Sequence, residues 1–149
     1  MDDEWIEFGI RLGAAAISGL LIGLERELRG KSAGLRTNAL VAVGSGVFVI
    51  ISLTFKNNPN VDLTRVIGQV VTGIGFLGAG TILHYKNNVK GLTTAATIWC
   101  SAAAGCLAAL VMYEELAVFT GIVLVINYGF NFIEKIFGKK IKLRDHEKD

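Results

Sequence analysis

The 149 residues are 52% hydrophobic and only 19% charged, with a single proline and a mean hydropathy of +0.50. A water-soluble domain of this length carries more charge along each of its helices. The composition therefore excludes an ordinary soluble domain and indicates an integral membrane protein. The net charge of +2 is then less informative than the positions of the charges.

Five apolar stretches follow one another along the chain, separated by short polar links. Each has the roughly 17 to 25 residues that a helix needs to cross the hydrocarbon core of a bilayer. The sequence therefore predicts an all-α membrane protein, with a bundle of five transmembrane helices over residues 1–137 and a basic cytoplasmic tail over residues 138–149. The predicted spans are residues 5–24, 38–55, 65–83, 94–113 and 116–133.

Lysine and arginine residues predict the orientation of this bundle. They crowd the first link, the third link and the C-terminal tail, whereas the second link has few and the fourth has none. Because positively charged links stay in the cytoplasm, we expect the N-terminus outside and the C-terminus inside. The acidic start, Met1–Glu4, is unlike the basic start of a cleaved signal peptide, so we expect the first span to be retained.

The third span is rich in glycine and is the predicted packing centre of the bundle. Residues without a Cβ let two helices approach closely, which drives helix association in lipid. The glycines concerned are Gly68, Gly73, Gly75, Gly78 and Gly80. Residues 73–78 also match the dinucleotide-binding spacing G-x-G-x-x-G, but an irregular loop there would leave unpaired backbone in lipid. The first span carries two G-x-x-x-G motifs, at residues 9–13 and 19–23, which serve either the bundle or a homodimer.

The second and fourth spans begin alike. Both starts read G-L-x-T-x-A, at residues 34–39 and 91–96, and both follow a link that contains lysine. The repeat predicts two related hairpins, formed by spans one and two and by spans three and four, with an added fifth helix. It also predicts N-caps at Thr37 and at Thr93 or Thr94, whose hydroxyls can accept hydrogen bonds from the first backbone N–H groups.

If the two hairpins pack together, two helix N-termini meet on the cytoplasmic side. Each N-terminus has a partial positive charge. Cationic side chains crowd the same face: Arg26, Arg29, Lys31, Arg36 and Lys90. Such a face attracts anions, either lipid phosphates or an acidic patch on a partner protein. It repels a divalent cation unless Glu25 and Glu27 turn inward.

Glu25 is the one carboxylate that the sequence offers as a metal or proton site. It ends the first span, next to Arg26. One interpretation is a charge cluster at the membrane surface, and the other is a carboxylate inside the bundle that pairs with Arg26 or Arg36. We expect Glu25 to be buried against one of these arginines, which favours regulation. A Glu25 that lines a continuous water path favours transport instead.

The sequence contains no recognisable catalytic constellation. His84 lies in a link and His146 in the tail, while Cys100 and Cys106 share one apolar span. Paired histidines or cysteines at the spacing of a zinc site are therefore missing. We expect neither an enzyme nor a bound cofactor, with Mg²⁺ as the one ion left open.

Four stretches together resemble the MgtC/SapB family of bacterial inner-membrane proteins. They are GLLIGLERE at residues 19–27, AGLRTNALV at 33–41, GIGFLGAG at 73–80 and GLTTAATIWCSAA at 91–103. The resemblance covers about residues 10–110 and implies the bacterial inner membrane, growth at low magnesium and, in pathogens, survival inside host cells (virulence). It also implies a regulator tied to inhibition of the proton-driven ATP synthase, rather than a proven magnesium carrier.

The resemblance also implies roles for individual positions. The family's functional cysteine falls on Cys100, and the asparagine of its Gly-Leu-Asn-Thr motif falls on Thr93, a departure that removes the amide. The predicted functional motif is Glu25, Arg26, Arg36, Thr37, Asn38, Thr93, Thr94 and Cys100. Many members carry a soluble C-terminal domain, whose function we expect to be missing here or supplied elsewhere.

Two functions follow as alternatives. The first is a small membrane regulator that binds a membrane protein through its lipid-facing helix surfaces or its basic cytoplasmic face. The second is a channel or carrier for Mg²⁺ or another cation, which works through Glu25 and polar residues of the glycine-rich span. In both cases we expect membrane lipids as neighbours and no nucleic acid as a partner, and a homo-oligomer is left open.

Overall fold

The computed structural model describes residues 2–58, 62, 64–86 and 88–145, with side chains in the last helix described as far as Gly129. This part of the chain forms five α-helices and one short β-hairpin. The helices are α1 (Asp2–Leu28), α2 (Leu35–Leu53), α3 (Thr64–Gly80), α4 (Leu92–Ala109) and α5 (Tyr113–Asp145). Strands β1 (Leu83–Tyr85) and β2 (Asn88–Lys90) lie between α3 and α4.

Each predicted apolar span coincides with one of these helices, which begin one to three residues earlier than predicted. The helix α5 continues to Asp145, so residues 138–145 of the predicted tail have a helical backbone. Lysine, which occupies three of these eight positions, is a good helix former, as are Leu143 and Arg144. The all-α class is therefore confirmed.

Three of the described helices are long and apolar enough to cross a membrane, judged by length and composition. They are α1 over Asp3–Leu28, α2 over Leu35–Leu53 and α4 over Leu92–Ala109. The helix α3 has 17 residues, or about 25 Å of helix, which is somewhat less than the hydrocarbon core. Five transmembrane helices remain a prediction.

The helices alternate in direction, as a chain with short links requires. Near the start of α1, Arg11 Nη1 donates to the carbonyl of Ala109 at the end of α4, at 2.8 Å. Near the end of α1, Arg26 Nη2 donates to Thr94 Oγ1 at the start of α4, at 2.7 Å. These contacts make α1 and α4 antiparallel. As the repeat predicts, α1 packs on α2 and α3 packs on α4, and in addition α2 packs closely on α4.

The prediction that α3 is the packing centre is wrong for the described chain. A Cβ on four of its five glycines would meet no neighbouring atom within 4 Å: Gly68, Gly73, Gly75 and Gly80. Of the five, only Gly78 is in close contact with another helix, since its Cβ would lie 3.5 Å from the Cβ of Ala95 in α4. The helix α3 therefore lies at the edge of the bundle. Glycines allow two helices to approach closely, but they do not determine which helix packs against them.

The packing centre lies where α1, α2 and α4 meet. A Cβ on Gly105 of α4 would lie 2.0 Å from the carbonyl oxygen of Ala42 in α2. Cβ atoms on Gly19 and Gly23 of α1 would lie 2.6 and 2.7 Å from backbone oxygens at the start of α2. The second G-x-x-x-G motif of α1 therefore serves the bundle. One contiguous cluster of the buried apolar core consists of Ala15, Ala42, Ala104, Ala108 and Leu116.

The link between α3 and α4 folds into the β-hairpin, in which His84 pairs with Val89. Gly91 follows directly and has a φ of 92°, in the left-handed region that favours glycine. A Cβ at this position would lie only 1.9 Å from the carbonyl oxygen of Thr81. Glycine is therefore required at Gly91 for two reasons, the backbone conformation and the close approach of the end of α3.

Asp62 caps the start of α3. Its Oδ1 atom accepts hydrogen bonds from the hydroxyl of Thr64 at 2.6 Å and from the backbone N–H of the same residue at 2.9 Å. The hydroxyl contact first, and then the backbone contact, hold the pKa of the Asp62 carboxyl below its usual value. This cap remains charged at neutral pH, where it complements the positive end of the helix.

Candidate functional site

Both copies of the G-L-x-T-x-A repeat begin a helix at the same position. The N-caps are Gly34 for α2 and Gly91 for α4, and neither helix has a side-chain cap. The prediction that Thr37 and Thr93 or Thr94 are N-caps is therefore wrong. The two helices begin directly after these glycines, so the threonines fall inside the first turn of each helix.

Arg26 is buried at the junction of α1 and α4. Only 2% of its surface is exposed. Besides the bond to Thr94 Oγ1, its Nε donates to the carbonyl of Ser32 in the first link, at 3.4 Å. Both partners are neutral. The arginine therefore joins α1, the first link and α4, with a positive charge that these hydrogen bonds do not neutralise.

Glu25 is buried as expected, with 7% exposed, and its charge acts on the adjacent Arg26, but its ion-pair partner within 4 Å is neither Arg26 nor Arg36. Its Oε1 lies 3.0 Å from Arg29 Nε, one helical turn away, where residues four apart share a face. Neither carboxylate oxygen accepts a well-directed hydrogen bond among the described residues, so the contact is mainly electrostatic. The Arg29 guanidinium also lies 4.2 Å above the ring of Tyr128, which connects this pair to α5.

Asn38 connects the start of α2 to α4. It is fully buried, and its Nδ2 donates to the carbonyls of Ala33 and Gly34, the latter at 3.0 Å. Its Oδ1 accepts a hydrogen bond from Ser101 Oγ at 2.7 Å. The amide therefore binds the carbonyls of the first link and a hydroxyl of α4 at once, so we assign Asn38 a structural role.

A cavity of about 850 Å³ opens at this end of the bundle, between the end of α1, the β-hairpin and the start of α4. Three cations line it, Arg26, Lys31 and Lys90, together with the hydroxyl-bearing Thr93 and Thr94. Among the residues that the structure describes, the lining includes no Asp or Glu. A cavity of this composition has a positive potential, which suits an anion and disfavours Mg²⁺.

The structure thus brings together part of the predicted motif. Arg26, Thr93 and Thr94 surround the cavity. Arg36 and Thr37 are exposed in the first turn of α2 and do not line it, while Cys100 is half-buried further along α4.

Sequence reasoning missed the role of Arg29, although its i,i+4 spacing from Glu25 was a usable signal. Ser32 was also missed, because a backbone carbonyl that accepts a hydrogen bond leaves no trace in the residue type. Within the described ranges, no group of three or more His, Cys, Asp or Glu residues could hold a metal ion. Glu25, the metal candidate of the sequence, therefore belongs to no such group in that part of the chain.

The family model for the MgtC family matches residues 12–136. The chain belongs to the MgtC family. It is 48% identical over 119 residues to protein MgtC of Salmonella typhimurium strain LT2, which covers 79% of this chain and 50% of that one. It is also 47% identical over 124 residues to the Synechocystis protein slr0014, with 83% and 52% covered.

A third relative of this MgtC-family chain is the Escherichia coli K12 protein named putative magnesium transporter YhiD. The two are 48% identical over 114 residues, which covers 72% of this chain and 53% of the relative. The chain therefore spans about half the length of the relatives it matches. No solved structure matches it significantly. The family resemblance is confirmed, and with the apolar helices it indicates a membrane protein.

Proposed function

We propose that this MgtC-family chain is a non-enzymatic regulator in the bacterial inner membrane, linked to adaptation to low magnesium. It acts on a membrane partner such as the ATP synthase, and it needs no cofactor. The observation that supports this best is the cationic cavity, because a protein that admits Mg²⁺ needs carboxylate or carbonyl oxygens along the route of the ion. The described cavity presents Arg26, Lys31 and Lys90 instead.

The environment of Glu25 supports the same proposal. Its carboxylate is 95% buried by side-chain area, and Arg29 lies 3.0 Å away. To bind Mg²⁺ it would have to give up this arginine, beside a second buried cation, Arg26. Arg29 already balances the charge of the carboxylate, so a divalent cation would bring an uncompensated charge into the bundle.

Two surfaces are available to a membrane partner. One is the apolar outer side of the helices, where large side chains are exposed, such as Phe76 at 81% and Val125 at 71%. The other is the cationic end, where the first link and the β-hairpin flank the cavity. We expect the partner to contact α3 or α5, because the centre of the bundle is already filled by α1, α2 and α4.

The alternative is a channel or carrier for Mg²⁺ or another cation. The name of the E. coli relative, putative magnesium transporter, favours it, as does the presence of a buried carboxylate at Glu25. The two functions differ in one structural requirement. Transport needs a continuous aqueous path that reaches Glu25, whereas regulation requires only that the chain reaches its partner.

Proton pumping in inverted membrane vesicles tests the regulatory function. Vesicles from cells with and without the protein are supplied with ATP, and acidification is followed by quenching of a fluorescent amine dye. We expect the protein to lower the initial rate of ATP-driven acidification and to leave acidification by respiration unchanged. Equal ATP-driven rates in the two preparations would refute the proposed action on the ATP synthase, and equal loss of both rates would indicate a leak instead.

A further inference from the structure

Arg26 is a buried charge that makes no ion pair within 4 Å among the described residues, although the charge of the adjacent Glu25 acts on it at longer range. With 2% exposed, it has lost almost all contact with bulk water. Its hydrogen-bond acceptors are the Thr94 hydroxyl and the Ser32 carbonyl, both neutral. Buried charges in proteins are normally paired, since an uncompensated one costs several kcal/mol.

The two carboxylates nearest in sequence are engaged elsewhere. Glu25 pairs with Arg29, as described above. Glu27 Oε2 accepts a hydrogen bond from the backbone N–H of Leu35 at the start of α2, at 3.3 Å. Neither residue lines the cavity into which Arg26 opens. Neither glutamate therefore forms a close ion pair with Arg26. The cavity leaves room for an anion from outside the chain to do so.

The rest of the cavity is arranged for an anion as well. Lys31 in the first link and Lys90 at the end of β2 are exposed and line it from two sides. The first turn of α4 lines it from a third side, and its backbone N–H groups have no side-chain cap. These N–H groups add hydrogen-bond donors and the partial positive charge of an 18-residue helix.

We propose that this cavity binds a phosphate group, which supplies the counter-ion of Arg26. Three cations, two threonine hydroxyls and backbone N–H groups without a side-chain cap match the several acceptor oxygens of a phosphate. The volume of about 850 Å³ is large enough for a lipid headgroup. The cavity lies where the apolar stretch of α1 ends and that of α4 begins, which is the level of the headgroups in a bilayer. The phosphate belongs either to an anionic lipid or to a free phosphate anion.

Lipid binding to the purified full chain tests this site. Native mass spectrometry in detergent counts phosphatidylglycerol bound in competition with phosphatidylcholine. The test variant is Lys31→Gln with Lys90→Gln, which keeps Arg26 in place so that the helices still pack. The control variant, Arg36→Gln with Lys56→Gln, removes the same charge from exposed cations outside the cavity.

We expect the test variant to bind phosphatidylglycerol about 30-fold more weakly than the native chain, from the usual contribution of two surface lysines. The control variant should bind it as the native chain does. Equal losses in the two double variants would overturn the proposal, because the attraction would then come from overall charge. Absence of any preference of the native chain for phosphatidylglycerol, together with no response to inorganic phosphate, would also overturn it.

Inorganic phosphate distinguishes the two sources of the group. If it raises the melting temperature of the native chain and of the control variant but not of the test variant, a free anion is sufficient. If only phosphatidylglycerol does so, the site takes a lipid headgroup. A response to polyglutamate without a response to either phosphate source would overturn the proposal in favour of an acidic protein. These results do not depend on the vesicle assay, so phosphate binding and regulation can fail separately.

Discussion

Replacing Gly105 by alanine adds one methyl group at the closest approach of α2 and α4. The new Cβ would lie 2.0 Å from the carbonyl oxygen of Ala42 and 2.8 Å from its carbonyl carbon. Both atoms belong to the backbone, so no side-chain rotation relieves the clash, and the two helices must move apart by more than 1 Å. Overpacking of this kind costs about 1–3 kcal/mol, against a gain of about 1 kcal/mol in helix propensity. We expect a net loss of about 1 kcal/mol in the free energy of unfolding, and of about 2 kcal/mol at the upper end of that range.

Two glycines of the facing helix α2, Gly46 and Gly44, allow the same substitution with less crowding at the new Cβ. A Cβ on Gly46 would lie 3.2 Å from the Gly105 carbonyl oxygen, a tight contact that a small shift relieves. A Cβ on Gly44 would meet nothing within 4 Å. We therefore expect Gly46→Ala to change the stability by less than about 1 kcal/mol, and Gly44→Ala to leave it unchanged or to raise it slightly.

Unfolding by sodium dodecyl sulfate in mixed micelles, followed by circular dichroism, measures this series. The predicted order of stability is Gly44→Ala, then Gly46→Ala, then Gly105→Ala as the least stable. A Gly44→Ala variant as unstable as Gly105→Ala would refute the reasoning, because it would mean that the cost comes from glycine as such and not from the contact of α2 with α4.

Three other predictions concern the ends of the helices. Arg29→Gln should destabilise the chain by about 2–3 kcal/mol because Glu25 is left buried without its partner, and adding Glu25→Gln should recover most of the loss in a double-mutant cycle; additive losses would contradict this pairing. Gly91→Ala should lower the melting temperature more than Gly30→Ala, since both glycines have positive φ but only Gly91 is crowded; equal shifts would contradict the crowding. The Asp62 cap has a lowered pKa, so it stabilises α3 above the unfolded value of about 4 and loses its effect as the pH falls through the folded pKa. The melting-temperature difference between the native chain and Asp62→Ala should therefore shrink in acid, and a constant difference would show that the charge of the cap is irrelevant.

The sequence predicted the helices well but not the centre of their packing. The length and hydrophobicity of a span are local properties, so each predicted span coincides with a helix. Whether a glycine packs against another helix depends on the tertiary structure, which the local sequence does not determine. Gly73 and Gly78 lie in the same motif, yet only Gly78 packs closely against another helix. The β-hairpin was missed because strands of three residues are too short to show an alternating pattern.

The candidate site was predicted in outline. The repeat correctly placed the starts of α2 and α4 at one end, together with the cationic side chains. The predicted ion-pair partner of Glu25 was wrong. The prediction favoured Arg26, next to Glu25, or Arg36, beyond the first link, whereas the closest cation is Arg29, one turn further along the same stretch of chain. The cavity could not be predicted, since it depends on how the first link and the β-hairpin flank the start of α4.

Mg²⁺ flux into liposomes tests the central claim most directly, namely that the cationic end of this bundle excludes divalent cations. The purified chain is reconstituted into liposomes that contain a Mg²⁺-sensitive dye, and Mg²⁺ is added outside. Our account predicts uptake no faster than into protein-free liposomes. Clear uptake that is abolished by Glu25→Gln and preserved by Glu7→Gln, an exposed carboxylate of the same helix, would contradict it.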